Sequence, residues 1–213
     1  FHVFSLSPSK IVTSCEGGLI TINSRNSAEY GDILRGMRNY GLNKSKVGMD
    51  FYGMNARMSE IHAIIGNYNL DKLTTLDVIE KRTANYNRYA YKLFKKAHEA
   101  FKLLPIRREH PGLYSVGTAI SSINYCVLNC GSAEVVDVQE CLAKDEIETK
   151  RYFYPSLDNL SAKFKQYAPN CSTLENAHKM SNSCLAIPVH EHLTESDLEH
   201  VSNSILKAFG FDE

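Results

Sequence analysis

The sequence predicts an α/β protein in which the end of a larger α/β domain is followed by long helices and then by a small α+β domain. Short strand patterns between turn residues mark the beginning of the chain. A helical pattern without proline follows from Met58 to Ala100. Strand and helix patterns alternate after Pro105, so we place a domain boundary near residue 100. The 213 residues suffice for one large domain or a domain and a half.

The first elements are short. Residues 1–5 have a strand pattern, and Leu19–Ile22 forms a second strand between a Gly-Gly pair and Asn-Ser. A helix is predicted over residues 28–40, because apolar residues recur at helical spacing before the stop at Gly41. Residues 42–56 are rich in Gly, Asn, Ser and Lys, which predicts a loop.

The helical pattern from Met58 to Ala100 is too long for one ordinary helix. Ser59 and Glu60 form a plausible start, and Gly66 is the only glycine in the stretch. We expect two helices or one bent helix, which would bridge two domains or line a subunit interface.

The remaining residues predict a small α+β domain. Strands are expected over residues 122–129, 148–154 and 185–189, and helices over residues 134–142 and 194–209. Thr194 and Asp197 have the spacing of a capping box, which fixes the start of the last helix.

Composition excludes several classes of function. The formal net charge is zero, which argues against binding nucleic acid or an anionic membrane through bulk charge. No apolar run approaches the ~18 residues of a membrane span, and no signal peptide is visible, so we expect a cytoplasmic protein. The chain begins with Phe1 inside a strand pattern, and we therefore expect its natural beginning to be missing.

The six cysteines show neither a CxxC pair nor dense disulfide spacing, which favours free thiols in a reducing compartment. Cys126 and Cys130 are possible metal ligands, but they flank an apolar strand and we favour a structural role. His190-Glu191-His192 offers two histidines without a third ligand nearby, so a loop is preferred and no metal is predicted.

Two segments carry candidate chemistry. Lys10 lies between small hydroxyl residues and the Gly17-Gly18 turn. A Schiff-base lysine needs small neighbours and partial desolvation, although most loop lysines are simply solvated. The second segment, Gly53–Glu60, places Asn55 and Arg57 just before a helix start, where they could serve an anion or act only as a cap and a surface residue.

Taken together, the motifs resemble a known family. Phe4-Ser5, Lys10 and Glu16-Gly17-Gly18 are followed by Met37–Gly41 and by the Asn-x-Arg-Met-Ser-Glu run from Asn55 to Glu60. This order is similar to that of the DegT/DnrJ/EryC1/StrS sugar aminotransferases. The downstream residues 151–155 and 185–188 also resemble segments of the C-terminal domain of these enzymes. Residues 6–9 read Leu-Ser-Pro-Ser, where many members have an aromatic residue, His, Ala and Thr.

The resemblance implies a fold and a cofactor. The chain would be the C-terminal part of a fold type I, aspartate aminotransferase-like enzyme that depends on pyridoxal 5′-phosphate (PLP). Residues 1–57 would end the large PLP-binding domain, residues 58–100 would form connecting helices, and residues 101–213 would form the small α+β domain.

The resemblance also implies roles for four residues. Lys10 would form the Schiff base with PLP, and Ser5 would bind the cofactor phosphate. Asn55 would reach the phosphate of the neighbouring subunit's cofactor, so that a homodimer would share its active sites. Arg57 would hold the carboxylate of the amino donor, because a guanidinium fork matches a carboxylate.

The implied reaction is ping-pong transamination of a nucleotide-linked keto sugar, with an amino acid such as glutamate as donor. The carboxylate that pairs with the pyridine nitrogen lies upstream of the lysine in this family, so this chain alone is expected not to transaminate efficiently. Two alternatives stay open: a truncated or split homologue that acts by dimerisation, and a PLP-dependent sugar dehydratase. Lys10 argues against the dehydratase, in which the lysine is replaced by His.

Overall fold

The computed structural model describes residues 1–97, 102–103, 123–131, 133–159 and 174–211. The chain divides into two compact units, Phe1–Asp77 and Val78–Glu213. This division lies upstream of the boundary expected near residue 100, which falls outside the described residues. The second of the predicted helices belongs with the second unit, because its Tyr89 and Leu93 are buried in that unit's core. The predicted three-part domain assignment remains a prediction.

The first unit begins with a two-stranded antiparallel ribbon. Strand β1 spans His2–Ser5 and strand β2 spans Gly18–Thr21, with His2 opposite Thr21 and Ser5 opposite Gly18. Both strands confirm the sequence prediction to within a residue or two. Apolar side chains on both faces of the ribbon are exposed: Val3, Phe4, Leu19 and Ile20.

Two helices complete the first unit. Helix α1 spans Ser27–Arg38 and helix α2 spans Glu60–Thr75, and between them lies the predicted loop. Ser59 caps α2, since its hydroxyl accepts a hydrogen bond from the backbone N–H of His62. Helix α2 exposes apolar side chains, namely Ile61, Ile64, Tyr68 and Leu70. The first unit therefore has large exposed apolar side chains on both the ribbon and α2.

The second unit is built on a three-stranded antiparallel sheet. Strands β3 (Lys102–Leu103), β4 (Cys126–Asn129) and β5 (Cys184–Ile187) lie side by side in that order. Helix α3 (Val78–Ala97) confirms that the long helical pattern is two helices. Helix α4 spans Val135–Lys144, a 3-10 turn spans Leu157–Asn159, helix α5 spans Glu175–Ser183 and helix α6 spans Glu195–Ala208.

The core of the second unit lies between the sheet and helices α3, α4 and α6. Its fully buried side chains include Tyr89, Leu93, Cys126, Leu128, Cys130, Leu142, Leu185, Leu198 and Ile205. Ion pairs between Arg88 and Glu195 (2.8 Å) and between Lys92 and Glu199 (2.9 Å) run along the α3–α6 contact. The capping box predicted for α6 is present, with Thr194 and Asp197 exchanging hydrogen bonds.

One predicted strand was wrong. Residues 148–154 form no strand; Lys150 alone pairs with Ala186. The three aromatic residues from Tyr152 give the segment a strand-like composition, but its backbone turns away from the sheet. The Ser181 hydroxyl of α5 donates a hydrogen bond to the Phe153 carbonyl at 2.7 Å, which stabilises this turn. The predicted start of β4 at Ser122 lies outside the described residues.

The part of the chain that the structure describes contains no helix long and apolar enough to cross a bilayer.

Candidate functional site

The predicted Schiff-base lysine lies in the loop that joins β1 to β2. Two backbone hydrogen bonds close the loop at its base, from Leu6 N to Gly17 O (3.0 Å) and from Ser14 N to Leu6 O (2.9 Å). Lys10 N donates to Ser7 O at 3.1 Å, which makes a tight turn of residues 7–10. The Lys10 side chain is half-buried. Its amine forms no ion pair or hydrogen bond with any residue that the structure describes.

Helix α2 packs against the loop that carries Lys10. Ser14 is completely buried, and the Asn69 side-chain amide donates to the Thr13 carbonyl at 2.8 Å. A Cβ on Gly66 would lie 3.2 Å from the Ser14 Cβ, so this glycine allows the helix to approach the loop closely. The single glycine of the helical stretch therefore has a packing role beside the lysine loop.

Gly17 brings two of the sequence motifs together. It has a φ of +144°, and a Cβ built there would lie 2.5 Å from the Met58 Cε and 2.9 Å from the Ser14 Oγ. The Glu-Gly-Gly motif thus lies against the methionine of the Asn-x-Arg-Met-Ser-Glu motif. A side chain at this position would displace one of them.

Ser5 and Ser7 form a small hydroxyl pair at the start of the loop. Ser5 Oγ donates to Ser7 Oγ at 3.2 Å, and Ser7 N donates to Ser5 Oγ at 3.4 Å. The Ser7 hydroxyl proton has no acceptor among the described residues. Since a hydroxyl rotates freely, either serine can donate to an anion that approaches this turn.

Asn55 and Arg57 contact each other directly. Arg57 Nε donates to Asn55 Oδ1 at 2.9 Å, and its terminal nitrogen donates to the Tyr40 hydroxyl at 3.3 Å. The guanidinium also lies 5.2 Å from the centre of the Tyr40 ring. In the described part of the chain Arg57 has only these neutral partners, so its positive charge is not compensated by a carboxylate.

This contact fixes the orientation of the Asn55 amide. A guanidinium only donates, so the Asn55 oxygen must face Arg57 and the amide nitrogen must face the other way. That nitrogen has no acceptor among the residues described, and the side chain is exposed. The arrangement presents an amide donor next to a positive charge, which suits a phosphate or a carboxylate.

Backbone pairing with the end of α1 positions Asn55 and Arg57. Met54 N donates to Met37 O at 2.9 Å and Ala56 N donates to Arg38 O at 2.9 Å. Residues 54–56 thus lie along residues 37–39, and Asn55 pairs with Asn39 across this short bridge. The two motifs that the sequence singled out, Met37–Gly41 and Asn55–Glu60, are neighbours in space.

Glycines make this close approach possible. Gly41 has a φ of +77°, and a Cβ there would collide with the Phe51 carbonyl oxygen. A Cβ on Gly53 would collide with the backbone nitrogen of Gly41 and would lie 2.5 Å from Met37 O. Because the obstructing atoms are backbone, neither clash can be relieved by a side-chain rotation.

The two halves of the predicted site are not linked directly. Within the described ranges no hydrogen bond or ion pair joins Ser5 or Lys10 to Asn55 or Arg57. The expectation that Asn55 serves the cofactor of a neighbouring subunit remains a prediction.

The donor set suits PLP. The lysine amine is half-buried and free of an acidic partner in the described part of the chain, and two serine hydroxyls lie on the same turn. An amine can bind the aldehyde of PLP, and hydroxyl and amide groups such as those of the two serines and Asn55 can donate hydrogen bonds to its phosphate. These residues therefore fit the cofactor on their chemistry.

Cys126, Cys130 and Glu191, which belong to the possible metal sites in the sequence, are buried or paired with another side chain in the structure. Cys126 and Cys130 are buried free thiols, and burial raises the pKa of Cys130 to about 11, so it stays a neutral thiol. Glu191 pairs with Arg82 at 2.9 Å in the loop that holds the two histidines. No group of three or more potential ligands occurs among the described residues.

Sequence reasoning missed part of the surroundings of Arg57. The sequence placed Tyr40 in the Met37–Gly41 motif but did not indicate its contact with Arg57. The sequence also did not indicate the cavity of about 880 Å³ in the first unit, of which Arg57 forms part of the wall. The excess of lysine and arginine in residues 35–46 is the sequence signal that could have indicated it.

The fold is that of solved aminotransferases. A DegT DnrJ EryC1 StrS aminotransferase from Brucella abortus shares 21% identity with this chain, with 98% of this chain and 50% of that chain covered and a TM-score of 0.78. The PLP form of Spr1654 from Streptococcus pneumoniae shares 18% identity over 98% and 51% of the two chains, with a TM-score of 0.78. Helicobacter pylori PseC, an aminotransferase involved in pseudoaminic acid biosynthesis, shares 20% identity over 98% and 53%, with a TM-score of 0.76.

A relative found by sequence similarity is also an aminotransferase. The dTDP-4-amino-4,6-dideoxy-D-glucose transaminase of Shigella dysenteriae is 25% identical over 206 residues, which are 95% of this chain and 51% of the relative. The DegT/DnrJ/EryC1/StrS aminotransferase family profile matches residues 1–206. The chain therefore belongs to this family of PLP-dependent aminotransferases, as its motifs predicted. It spans about half the length of the relatives it matches.

Proposed function

We propose that this chain supplies the lysine-bearing half of a PLP-dependent enzyme that transfers an amino group to a nucleotide-linked keto sugar. The observation that carries the proposal is the half-buried Lys10 amine, which lies without an acidic partner among the described residues in a family motif of matching order. A lysine amine of this kind can bind an aldehyde and move protons.

Each residue has a defined task in this proposal. Lys10 would hold PLP and, once released, would take up and return the proton of the amino donor's α-carbon. Ser5 would donate to the cofactor phosphate. Arg57 would hold the carboxylate of a donor such as glutamate, since its charge is compensated by no carboxylate in the described residues. When bound, PLP supplies the electron sink that makes the α-proton labile.

The domain assignment follows the same proposal. Residues 1–57 would end the large domain, residues 58–100 would connect the domains, and residues 101–213 would form the small domain. The exposed amide nitrogen of Asn55 and the exposed apolar side chains of α2 support a homodimer with shared active sites, because both would gain partners across a subunit interface.

Selective labelling of Lys10 tests the proposal. The 213-residue chain is mixed with PLP below equimolar concentration and reduced with borohydride, and the modified lysines are identified by mass spectrometry. We expect the label to concentrate at Lys10, because this residue is half-buried and lies within a few residues of the Ser5 and Ser7 hydroxyls, which can donate to a phosphate.

Matched variants make this measurement decisive. Lys10→Ala should remove the dominant label, whereas Lys81→Ala, which removes an exposed lysine of α3, should leave it unchanged. Equal labelling of Lys10 and exposed lysines would contradict the proposal and would favour a homologue that acts by association alone.

A further inference from the structure

We infer that Asn69 of helix α2 is a positioning residue for Lys10, and that it acts through the backbone carbonyl of Thr13. The Asn69 side-chain amide donates a hydrogen bond to this carbonyl at 2.8 Å. Thr13 follows Lys10 in the loop between β1 and β2, whose residues 6–17 we call the lysine loop. The inference rests on the proposed function, because that function is what makes the placement of the Lys10 amine matter.

Thr13 is the residue at which the two sides of the lysine loop are joined. Its hydroxyl donates to Leu6 O at 3.2 Å and accepts from Cys15 N at 3.0 Å. Leu6 O also accepts from Ser14 N at 2.9 Å. Because Leu6 precedes Lys10 and Cys15 follows it, a hydrogen bond that fixes Thr13 restrains the chain on both sides of the lysine.

The same hydrogen bonds connect Thr13 to the serine hydroxyls. Leu6 is flanked by Ser5 and Ser7, whose hydroxyl oxygens lie 3.2 Å apart. Lys10 N donates to Ser7 O at 3.1 Å, so the lysine and this serine belong to one tight turn. A displacement of Thr13 would therefore move the hydroxyls and the lysine together. Catalytic and binding groups need their mutual geometry fixed, and the contact with Thr13 supplies that restraint here.

Helix α2 supports this contact at a second point. Gly66 lies three residues before Asn69, and residues three apart lie on the same face of a helix. A Cβ on Gly66 would lie 3.2 Å from the Ser14 Cβ. Ser14 is completely buried, and its hydroxyl donates to Glu16 O at 2.8 Å. One face of α2 thus packs against Ser14 and holds the neighbouring Thr13 by a hydrogen bond.

The amide of Asn69 is explained by the carbonyl that it contacts. Asparagine is among the weaker helix formers, so helix formation does not favour it inside α2. Its side chain often bonds to the backbone of its own helix, whereas that of Asn69 reaches the lysine loop. A carbonyl only accepts, so the amide nitrogen must face Thr13. An apolar side chain at residue 69 could pack there but could not replace this hydrogen bond.

Hydrogen exchange of the whole 213-residue chain tests whether Asn69 holds the loop. The amides to follow are those of Leu6, Lys10 and Ser14, because each donates a hydrogen bond within the loop. Asn69→Ala should speed their exchange about two- to tenfold, the effect of losing one neutral hydrogen bond. Peptides from strand β5, which is buried in the second unit, should exchange as in the wild type.

Asn67→Ala is the matched control, because Asn67 is an exposed asparagine of the same helix. Both alanine substitutions raise the helix propensity of α2 by the same amount, so a weaker helix cannot explain faster exchange in Asn69→Ala. Asn69→Gln keeps an amide donor and should restore most of the protection. Equal loop exchange in Asn69→Ala, Asn67→Ala and the wild type would overturn the inference.

A second measurement separates positioning from a purely structural role. Lys10 is labelled with PLP or with pyridoxal, which lacks the phosphate, and each product is reduced with borohydride. The wild type should prefer PLP at Lys10, because only PLP carries the phosphate to which the serine hydroxyls can donate. Asn69→Ala should lower this preference about two- to tenfold and leave the labelling of exposed Lys81 unchanged. Asn69→Gln should restore most of the preference.

The two measurements also distinguish this inference from the proposed function. If the wild type labels selectively at Lys10 and Asn69→Ala keeps the same preference for PLP, the inference is overturned and the proposed function stands. If the wild type shows no selective labelling, the proposed function is contradicted. Faster loop exchange in Asn69→Ala would then still support the hold of Asn69 on the loop, whereas unchanged exchange would overturn both.

Discussion

Replacing Tyr89 with phenylalanine is expected to stabilise the protein. The Tyr89 side chain is completely buried in the second unit, and its hydroxyl has no hydrogen-bond partner in the described structure. A buried hydroxyl without a partner costs about 1–3 kcal/mol, because it loses its hydrogen bonds to water on folding. Removing the oxygen removes this cost.

The magnitude follows from two opposing contributions. The empty space left by one oxygen costs only about 0.3 kcal/mol, so most of the gain should be retained. For a chain of this length, 1 kcal/mol shifts the melting temperature by about 2–4 °C, so a net gain of about 0.7–2.7 kcal/mol should raise it by about 1–11 °C. Burial raises the pKa of Tyr89, so its phenol stays neutral and the gain should be the same at pH 6 and pH 9.

Urea unfolding followed by circular dichroism measures this effect. The midpoint should rise while the slope with urea stays constant, because the surface exposed on unfolding is unchanged. Tyr91→Phe is the matched control, since Tyr91 lies on the same helix with 66% of its surface exposed. Its effect should stay within about 0.5 kcal/mol. A Tyr89→Phe protein less stable than the wild type would refute the reasoning and indicate that the hydroxyl has a partner, such as a buried water.

Two further predictions concern the close glycine contact and the acid stability of the second unit. Gly53→Ala should destabilise the first unit by about 1–3 kcal/mol, because its Cβ meets backbone atoms. Hydrogen exchange of peptides covering residues 37–57 should show the loss. The hydroxyl of Ser204 and then the ammonium of Lys207 hold the pKa of Asp145 below its ordinary value. The stabilisation is therefore present above that ordinary value, about 3.9, and is lost as the pH falls through the lower folded value. Asp145→Asn should lower the melting temperature at pH 7 and flatten its decline between pH 5 and pH 2.

Each of these two predictions has its own control variant. A Cβ on Gly48 would meet only the side-chain nitrogen of Asn43, at 3.1 Å, and no backbone atom, so Gly48→Ala should have a smaller effect than Gly53→Ala. Equal effects would show that the contact with Gly41 is not the cause. Asp137→Asn changes an exposed carboxylate of α4 for which no ion pair occurs among the described residues, and its acid sensitivity should match the wild type. An Asp145→Asn protein as acid-sensitive as the wild type would contradict the assigned cause.

The sequence predicted elements where local chemistry decides the structure. Ser59 and Thr194 mark helix starts through caps, and the structure places both starts there; β2 begins at Gly18, within the Gly-Gly turn that the sequence indicated. Helix α5 was missed, because its nine residues Glu175–Ser183 are mostly polar and too few to give a clear helical pattern. Tertiary contacts hold it in place, and such contacts leave no periodic signal.

The candidate site was only partly visible in the sequence. Motif order identified the family and predicted roles for four residues, and neither step needs any distance between residues. The sequence did not reveal that Arg57 contacts Asn55 and Tyr40, because that contact depends on residues 54–56 pairing with residues 37–39. A non-local backbone pairing of this kind is set by the whole fold, not by adjacent residues.

The close contact between Gly41 and Gly53 divides the segment after α1 into two parts. The stem consists of the residues on either side of this contact, and the tip is the loop of residues 43–48 between them. The stem is constrained by backbone contacts on both sides, so its length and glycines tolerate little change during evolution or engineering. The tip, residues 43–48, is closed by hydrogen bonds to the Asn43 side chain, and its residues 43–46 lie in the wall of the cavity. Substitutions in the tip are therefore expected to disturb the fold less than substitutions at Gly41 or Gly53, so the tip is the part of this segment in which sequence can vary most.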